Sequence, residues 1–317
     1  MAGQGNILIT DESALHVLMH GDWASRAESS KTHENPLLEC STTLEGLSAF
    51  NTRNLLYGPP PISLLVNDES GKRWTNDLLC RYMRTELTPG SFFALREGLF
   101  VATPEFTYLR MARFSTEVQL AEIGMNLCAR YYIDVKTAKV KDRTAFLTTP
   151  AKLRAFVIAN EGARGSRKAL SALRWVMPNS GSPYETKMKL VYCHPLSRGG
   201  LSLPFTDMNY DVRAGRLSRM MAQSTYSLDL VDRFRKVAME YDGEEGHLDF
   251  SKDKRRRNEL AAMGWALFPI DKQVFHDPDA AIRVGEQVAH YMRVRLRRST
   301  SWEGKYLQLR RELNLPA

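Results

Sequence analysis

Apolar residues along the first half of the chain fall into short runs and helical stripes. Ile62–Val66 is an unbroken apolar run that predicts a buried strand, closed by the turn-forming residues 67–71. Phe92–Leu95 and Leu99–Val101, on either side of Glu97-Gly98, predict two more strands. Residues 6–20 are mixed and apolar, enough for one strand or one helix, and the Ser-rich stretch Ala24–Thr42 predicts a flexible connection. From Pro104 to Tyr131 the residues Phe106, Leu109, Met111, Val118, Leu120, Ile123 and Leu127 recur at helical spacing, which predicts two helices broken near Phe114-Ser115. A further helix is expected over Pro150–Asn160, capped by Thr149. The small, basic stretch Gly162–Arg174 is expected to be helical. The breaker Pro178-Asn179-Ser180-Gly181 marks a domain junction.

Beyond it, Ser182-Pro183-Tyr184-Glu185 fits a capping box opening a helix that runs through Tyr192. Tyr226–Val231 and Lys236–Tyr241 read as antiparallel strands around a polar turn, and Asp242-Gly243 breaks the second. A helix over Lys252–Met263 ends at Gly264. Trp265–Ile270 is a third strand, whose Pro269 argues for a strand end or a sheet edge. The last helix is expected over Ala280–Arg298, carrying Arg293, Arg295, Arg297 and Arg298 in its final turns.

The hairpin concentrates acidic residues. If Asp232 pairs with Arg235, Asp229 sits opposite Ala238, and Glu240 and Asp242 share its face. A slip of one residue would scatter them. Three carboxylates on one face repel unless a cation lies among them. Mg²⁺ or Mn²⁺ fits that need: it takes one or two carboxylates and keeps waters and phosphate oxygens as its other ligands. Such an ion polarises a phosphoryl oxygen and activates water. His247 is placed to handle the proton near neutral pH. Each piece also has an ordinary structural role: Glu185 in a capping box, Asp242-Gly243 as a turn, His247 as a surface histidine, and Lys252–Arg257 as a solvated helix face. Their joint order in one compact unit favours chemistry.

Composition narrows the class. The chain has 317 residues, 43% hydrophobic and 25% charged, as expected of a globular protein of two domains. Its net charge is +8; residues 251–317 hold 14 Lys and Arg against 8 Asp and Glu, a net of +6, which suits an anionic partner such as DNA. Cys40, Cys80, Cys128 and Cys193 lie tens of residues apart, without zinc-site spacing, and read as reduced thiols of a cytoplasmic protein. The N-terminus does not have the pattern of a signal peptide, and no run of about 18 apolar residues predicts a membrane span.

The string Asp229 … Glu240-Tyr241-Asp242-Gly243 … His247 … Asp253 … Arg256 … Leu260 … Gly264-Trp265 resembles the endonuclease-like domains related to very-short-patch-repair endonucleases, of the PD-(D/E)XK superfamily. The resemblance covers about 95 residues. It implies an α/β fold: a mixed sheet flanked by helices over residues 178–317, ending in a basic C-terminal helix. In such domains a helix carries one acid, an Asp ends one strand, and E-x-D-G-x-x-x-H ends the next. Glu185 is thereby the helix acid, and Asp229, Asp242 and Glu240 the metal-binding set. Lys254, Arg255, Arg256 and Arg257 are expected on DNA phosphates. The superfamily's E-x-K lysine is replaced by Asp242, which leaves His247 to orient or deprotonate water. Leu55–Pro60, Pro89–Phe92 and Leu99–Val101 with Thr103-Pro104-Glu105 make residues 46–177 similar to an AbiEi-antitoxin-like α+β domain of actinobacterial proteins. Residues 1–45 then form a variable N-terminal segment. Two functions follow: a metal-dependent DNA endonuclease or nickase, or a catalytically inactive DNA-binding regulator on the same fold.

Overall fold

The computed structural model describes residues 5–32, 34–48, 50–84, 86–243 and 250–317. Both parts of the chain mix helices with mixed sheets, an α/β arrangement. Two compact units separate at Val176 and Met177.

The first unit comprises β1 (Ile7–Ile9), α1 (Asp11–Met19), α2 (Ala24–Ser29), α3 (Leu44–Ser48), β2 (Ile62–Val66), β3 (Arg73–Trp74), β4 (Leu78–Tyr82), β5 (Phe92–Arg96), β6 (Leu99–Ala102), α4 (Pro104–Met111), α5 (Glu117–Leu127), β7 (Tyr131–Ile133), β8 (Val140–Asp142), α6 (Pro150–Ala159) and α7 (Ser166–Ala172). Its six-stranded sheet runs β3-β4-β2-β1-β6-β5. β1 pairs antiparallel with β2 and parallel with β6, and every residue of β1 and β2 is buried. That burial on both faces explains why these strands read as apolar runs rather than alternations. Contrary to the separate segment expected from sequence, the stretch up to residue 45 does not stand apart: β1 lies inside the sheet, and Ala24–Thr42 contains α2 and a 3₁₀ turn at Pro36–Glu39. Three residues are too few for periodicity to reveal such a strand. The two helices expected between Pro104 and Tyr131 form, separated after Met111 by residues 112–116, and Thr116 closes a capping box with Gln119 at the start of α5.

The second unit comprises α8 (Pro183–Cys193), β9 (Asp207–Arg213), β10 (Thr225–Asp232), β11 (Val237–Asp242), α9 (Phe250–Ala262), β12 (Ala266–Asp271), α10 (Lys272–His276), α11 (Pro278–Tyr291) and α12 (Trp302–Glu312). The sheet order is β12-β11-β10-β9. β9, β10 and β11 are antiparallel in turn, and β12 returns parallel to β11 after α9. Pro269 lies in the middle of β12, which is an edge strand, where a residue without an N–H is tolerated. Tyr226, Leu228, Val231 and Ala238 of the sheet pack with Val212, Leu260 and Trp265. Gly264, at φ 83°, ends α9 and turns the chain into β12.

Two expectations change here. Asp232 pairs with Val237, and a four-residue loop Arg233–Lys236 replaces the tighter turn; Asp232 Oδ1 accepts the N–H groups of Phe234 and Arg235, and Lys236 takes φ 51°. The helix expected over Ala280–Arg298 stops at Tyr291. Arg293 occupies the left-handed position at φ 56°, and the Val294 N–H reaches back to the Ala289 carbonyl, closing the helix without glycine. Arg293, Arg295 and Arg297 therefore lie beyond the helix and are exposed, alternating with half-buried Val294 and Leu296. α12 follows, anchored by fully buried Arg310, whose Nη2 donates to the Phe275 and His276 carbonyls at 2.9 Å each.

Candidate active site

α8 starts at Ser182, whose hydroxyl accepts the Glu185 N–H at 3.2 Å, with Pro183 in the first turn. Glu185 is buried, and its Oε2 accepts the Gly181 N–H at 2.7 Å and Asn209 Nδ2 at 2.6 Å. Asn209 sits in β9 in the left-handed region, φ 46°, and its Nδ2 also donates to the Asn179 carbonyl. Leu228 pairs with Tyr210 and Leu230 with Met208, so Asp229 lies beside Asn209. One asparagine thus lies between the helix acid and the strand acid. Tyr184 stacks on Tyr241 of β11 at 4.7 Å, planes 6° apart, which fixes the start of α8 against the sheet.

In the β10–β11 ladder Leu230 pairs with Met239, so the next step places Asp229 beside Glu240 rather than opposite Ala238. The difference from the sequence register is two residues. Because side chains alternate with period two, an even slip preserves the face, and Asp229, Glu240 and Asp242 still share it. Asp229 lies in the interior of β10, not at its end as the family pattern implies. Its Oδ2 accepts the Tyr241 N–H at 2.8 Å. Burial pushes the Asp229 carboxyl well above its usual value, and the charges of Glu185 and Glu240 push it further; the Tyr241 N–H and Arg256 oppose.

α9 supplies the opposing charge. Arg256 Nη1 and Nη2 each lie 2.6 Å from a different oxygen of Glu240, and Nη2 also donates to the Ser227 carbonyl. Glu240 holds the Arg256 guanidinium above its already high value by that contact. Arg256 is thus engaged internally instead of with DNA phosphates. Arg255 pairs with Glu259 at 3.0 Å; Glu259 also takes the Tyr226 hydroxyl at 2.6 Å and the Ala222 N–H at 2.8 Å. Arg257 lies 3.5 Å from Asp242, both of them exposed to solvent in part. Lys254 is exposed and makes no side-chain contact among the described residues. Of the four cations expected on phosphate, Lys254 and Arg257 are open and two are committed to the fold.

Glu185 and Glu240 lie near enough to Asp229 for their charges to act on it, and Asp242 follows along β11. His247 lies outside the described residues. Among those, no three His, Cys, Asp or Glu residues are gathered closely enough to hold a metal ion. Two neighbours were not foreseen from the sequence. Asn209 belongs to β9, whose alternating Met208, Tyr210 and Val212 carried a strand signal that the neighbouring loop residues obscured. The His276 ring lies 5.7 Å from that of Tyr184, and its position at the end of the short α10 gave no sequence signal. No helix among the described residues is long and apolar enough to cross a membrane. Comparison of the chain with protein-family models, curated proteins and solved structures returns no match.

Proposed function

We propose that the second unit is a metal-dependent nuclease of the PD-(D/E)XK type that hydrolyses DNA phosphodiester bonds as an endonuclease or nickase. The observation that carries this reading is the Asp229 carboxyl, enclosed beside Glu185 and Glu240 and pushed upward by both. Strongly perturbed acids in a shared site mark functional centres. The order helix, three antiparallel strands, helix, parallel strand supports the same reading, with acids on the helix, the second strand and the third.

The residues fit Mg²⁺ or Mn²⁺. Asp229 and Glu185 are hard oxygen donors whose mutual repulsion a cation relieves, and Mg²⁺ needs only one or two carboxylates beside water and phosphate oxygens. Asp242 is half-buried and, among the described residues, held only by the long contact to Arg257, so it is the next available donor. Glu240 is occupied by Arg256, and its role in this arrangement is to fix α9 against the sheet. A bound ion would polarise the phosphoryl group and acidify water. The chain's own groups do the rest. Asn209 and the Gly181 N–H orient Glu185, and the Tyr241 N–H orients Asp229. Lys254, Arg257 and the exposed Arg293, Arg295 and Arg297 receive phosphates.

A second reading, a DNA-binding regulator without catalysis, is favoured by one observation: the Arg256–Glu240 pair neutralises an acid expected to bind metal. Plasmid nicking in Mg²⁺ or Mn²⁺ separates the two. The nuclease cuts, and Asp229→Ala and Glu185→Gln each lower the rate at least about a hundredfold. Cutting that survives Asp229→Ala overturns the site. DNA binding without cutting of duplex, nicked or single-stranded substrate supports the regulator.

A further inference from the structure

The first unit contains a concentration of arginine that its acids do not balance. Asp11, fully buried and at φ 51°, starts α1. Arg110 of α4 grips it at both oxygens, 2.8 and 2.9 Å, and Arg81 of β4 adds a third contact at 3.0 Å. Glu12 reaches Arg81 only at 3.6 Å. One turn beyond the grip lies Arg113. Its Nε is sealed from solvent without a hydrogen-bond partner, and its side chain has only the ring of Phe114 as a described contact, 5.5 Å away. Arg164 is exposed and makes no side-chain contact among the described residues. Burial and the charges of Arg110, Arg164 and Arg81 all destabilise the Arg113 cation, and Asp11 alone among its charged neighbours supports it. An N–H sealed from water without an acceptor is destabilising unless something supplies one.

Arg110, Arg113 and Arg164, together with Arg84, line a pocket of about 580 Å³ with Phe106 and Leu109 among its apolar residues. Glu86 and Glu161 also line it, and both are exposed at its rim. The volume falls in the range of small-molecule sites, which combine apolar walls with a few convergent polar groups. Guanidinium groups recognise phosphoryl oxygens through paired, charge-assisted hydrogen bonds.

We propose that this pocket binds the phosphoryl group of a small phosphorylated molecule of nucleotide size, with Arg113 and Arg164 as the contacting cations and Arg110, held by Asp11, as the fixed wall. The half-buried Arg113 guanidinium gains a phosphoryl acceptor, and the apolar side chains receive the organic part. This site is independent of the acids around Asp229.

Calorimetry and thermal shift on the full chain test it, with inorganic pyrophosphate and adenosine monophosphate as probes and sodium chloride at matched ionic strength as reference. Saturable binding is expected with at least one probe. Arg113→Gln and Arg164→Ala each weaken it about tenfold or more, and Asp229→Asn leaves it unchanged. Arg164 is exposed, so its variant reads binding even if Arg113→Gln perturbs folding. Binding of neither probe at 10 mM (about the weakest useful affinity for such a site), or affinities unchanged in both arginine variants, overturns the proposal. So does capture of single-stranded DNA by these arginines when both small probes fail, since the ligand would then be a polymer.

Discussion

Arg256 spans Glu240, one guanidinium nitrogen on each carboxylate oxygen at 2.6 Å. The pair joins α9 to β11 next to Asp229, so it balances charge and fixes packing at once. Glu240 is nearly buried and Arg256 about one-third exposed. Arg256→Met leaves an uncompensated carboxylate beside two others and is expected to cost about 2–3 kcal/mol in chemical denaturation, the lower part of the buried-pair range because water reaches the arginine. Adding Glu240→Gln to that variant should recover most of the loss. A single-variant cost under about 0.5 kcal/mol would show that the pair does not hold α9 in place.

Asp229 makes stability depend on pH in a direction opposite to that of a salt-bridged acid. Its folded-state affinity for protons exceeds that of the unfolded chain, because burial and two acidic neighbours disfavour its charge. The stability linked to it is therefore complete below the ordinary carboxylate range and is lost as pH rises through the raised value. Asp229→Asn should raise the thermal midpoint at pH 8, and the gain should shrink as pH falls toward 4 (about the unperturbed Asp value). Mg²⁺ should stabilise wild type at pH 8 and do little for Asp229→Asn. A midpoint difference independent of pH would contradict the assignment.

The cations divide into committed and open groups, and salt dependence distinguishes them. Lys254→Gln, and the set Arg293→Gln, Arg295→Gln and Arg297→Gln, should flatten the dependence of DNA affinity on salt, by about 0.9 in log–log slope per lost phosphate contact. Arg255→Gln should leave the slope alone and lower stability through Glu259, which it shares with Tyr226. Equal slopes in all variants would place the DNA elsewhere.

Gly199 tests the packing against α12. It has φ 91°, and a Cβ there would lie 2.3 Å from the Lys305 carbonyl oxygen. Gly199→Ala combines left-handed strain with a backbone clash and should cost at least about 2 kcal/mol, read as a lower denaturation midpoint. In the first unit, Asp11→Ala should cost about 3–5 kcal/mol, because it strands fully buried charge on Arg110.

The acids on β10 and β11 were legible because strand alternation tolerates an error of two residues: the turn was placed too tightly, yet Asp229, Glu240 and Asp242 kept their common face. Glu240's partner was not legible. Arg256 lies 16 residues away on a different element, a separation that no local pattern reports. The end of α11 was missed because Arg293 occupies a position usually marked by glycine, and the chain continues through equally basic residues. Residues 6–20 read as one strand or one helix and hold both, because the three residues of β1 do not mark themselves off until they are seen between β2 and β6. Sequence pattern reports local periodicity well; it reports poorly on contacts that only the assembled sheet creates.

Pro269 carries a consequence for how the protein behaves in company. The Ala266 N–H donates to the Lys236 carbonyl across the β11–β12 ladder, so the N–H groups of alternate residues, Leu267 and Asp271, face outward with the nitrogen of Pro269 between them. That nitrogen has nothing to donate, and the Asp271 side chain already starts α10 by accepting the Val274 N–H. A strand from another molecule approaching this border meets a missing rung at its centre. The border resists templated growth, and substituting Pro269 by a β-branched residue would open it to self-association.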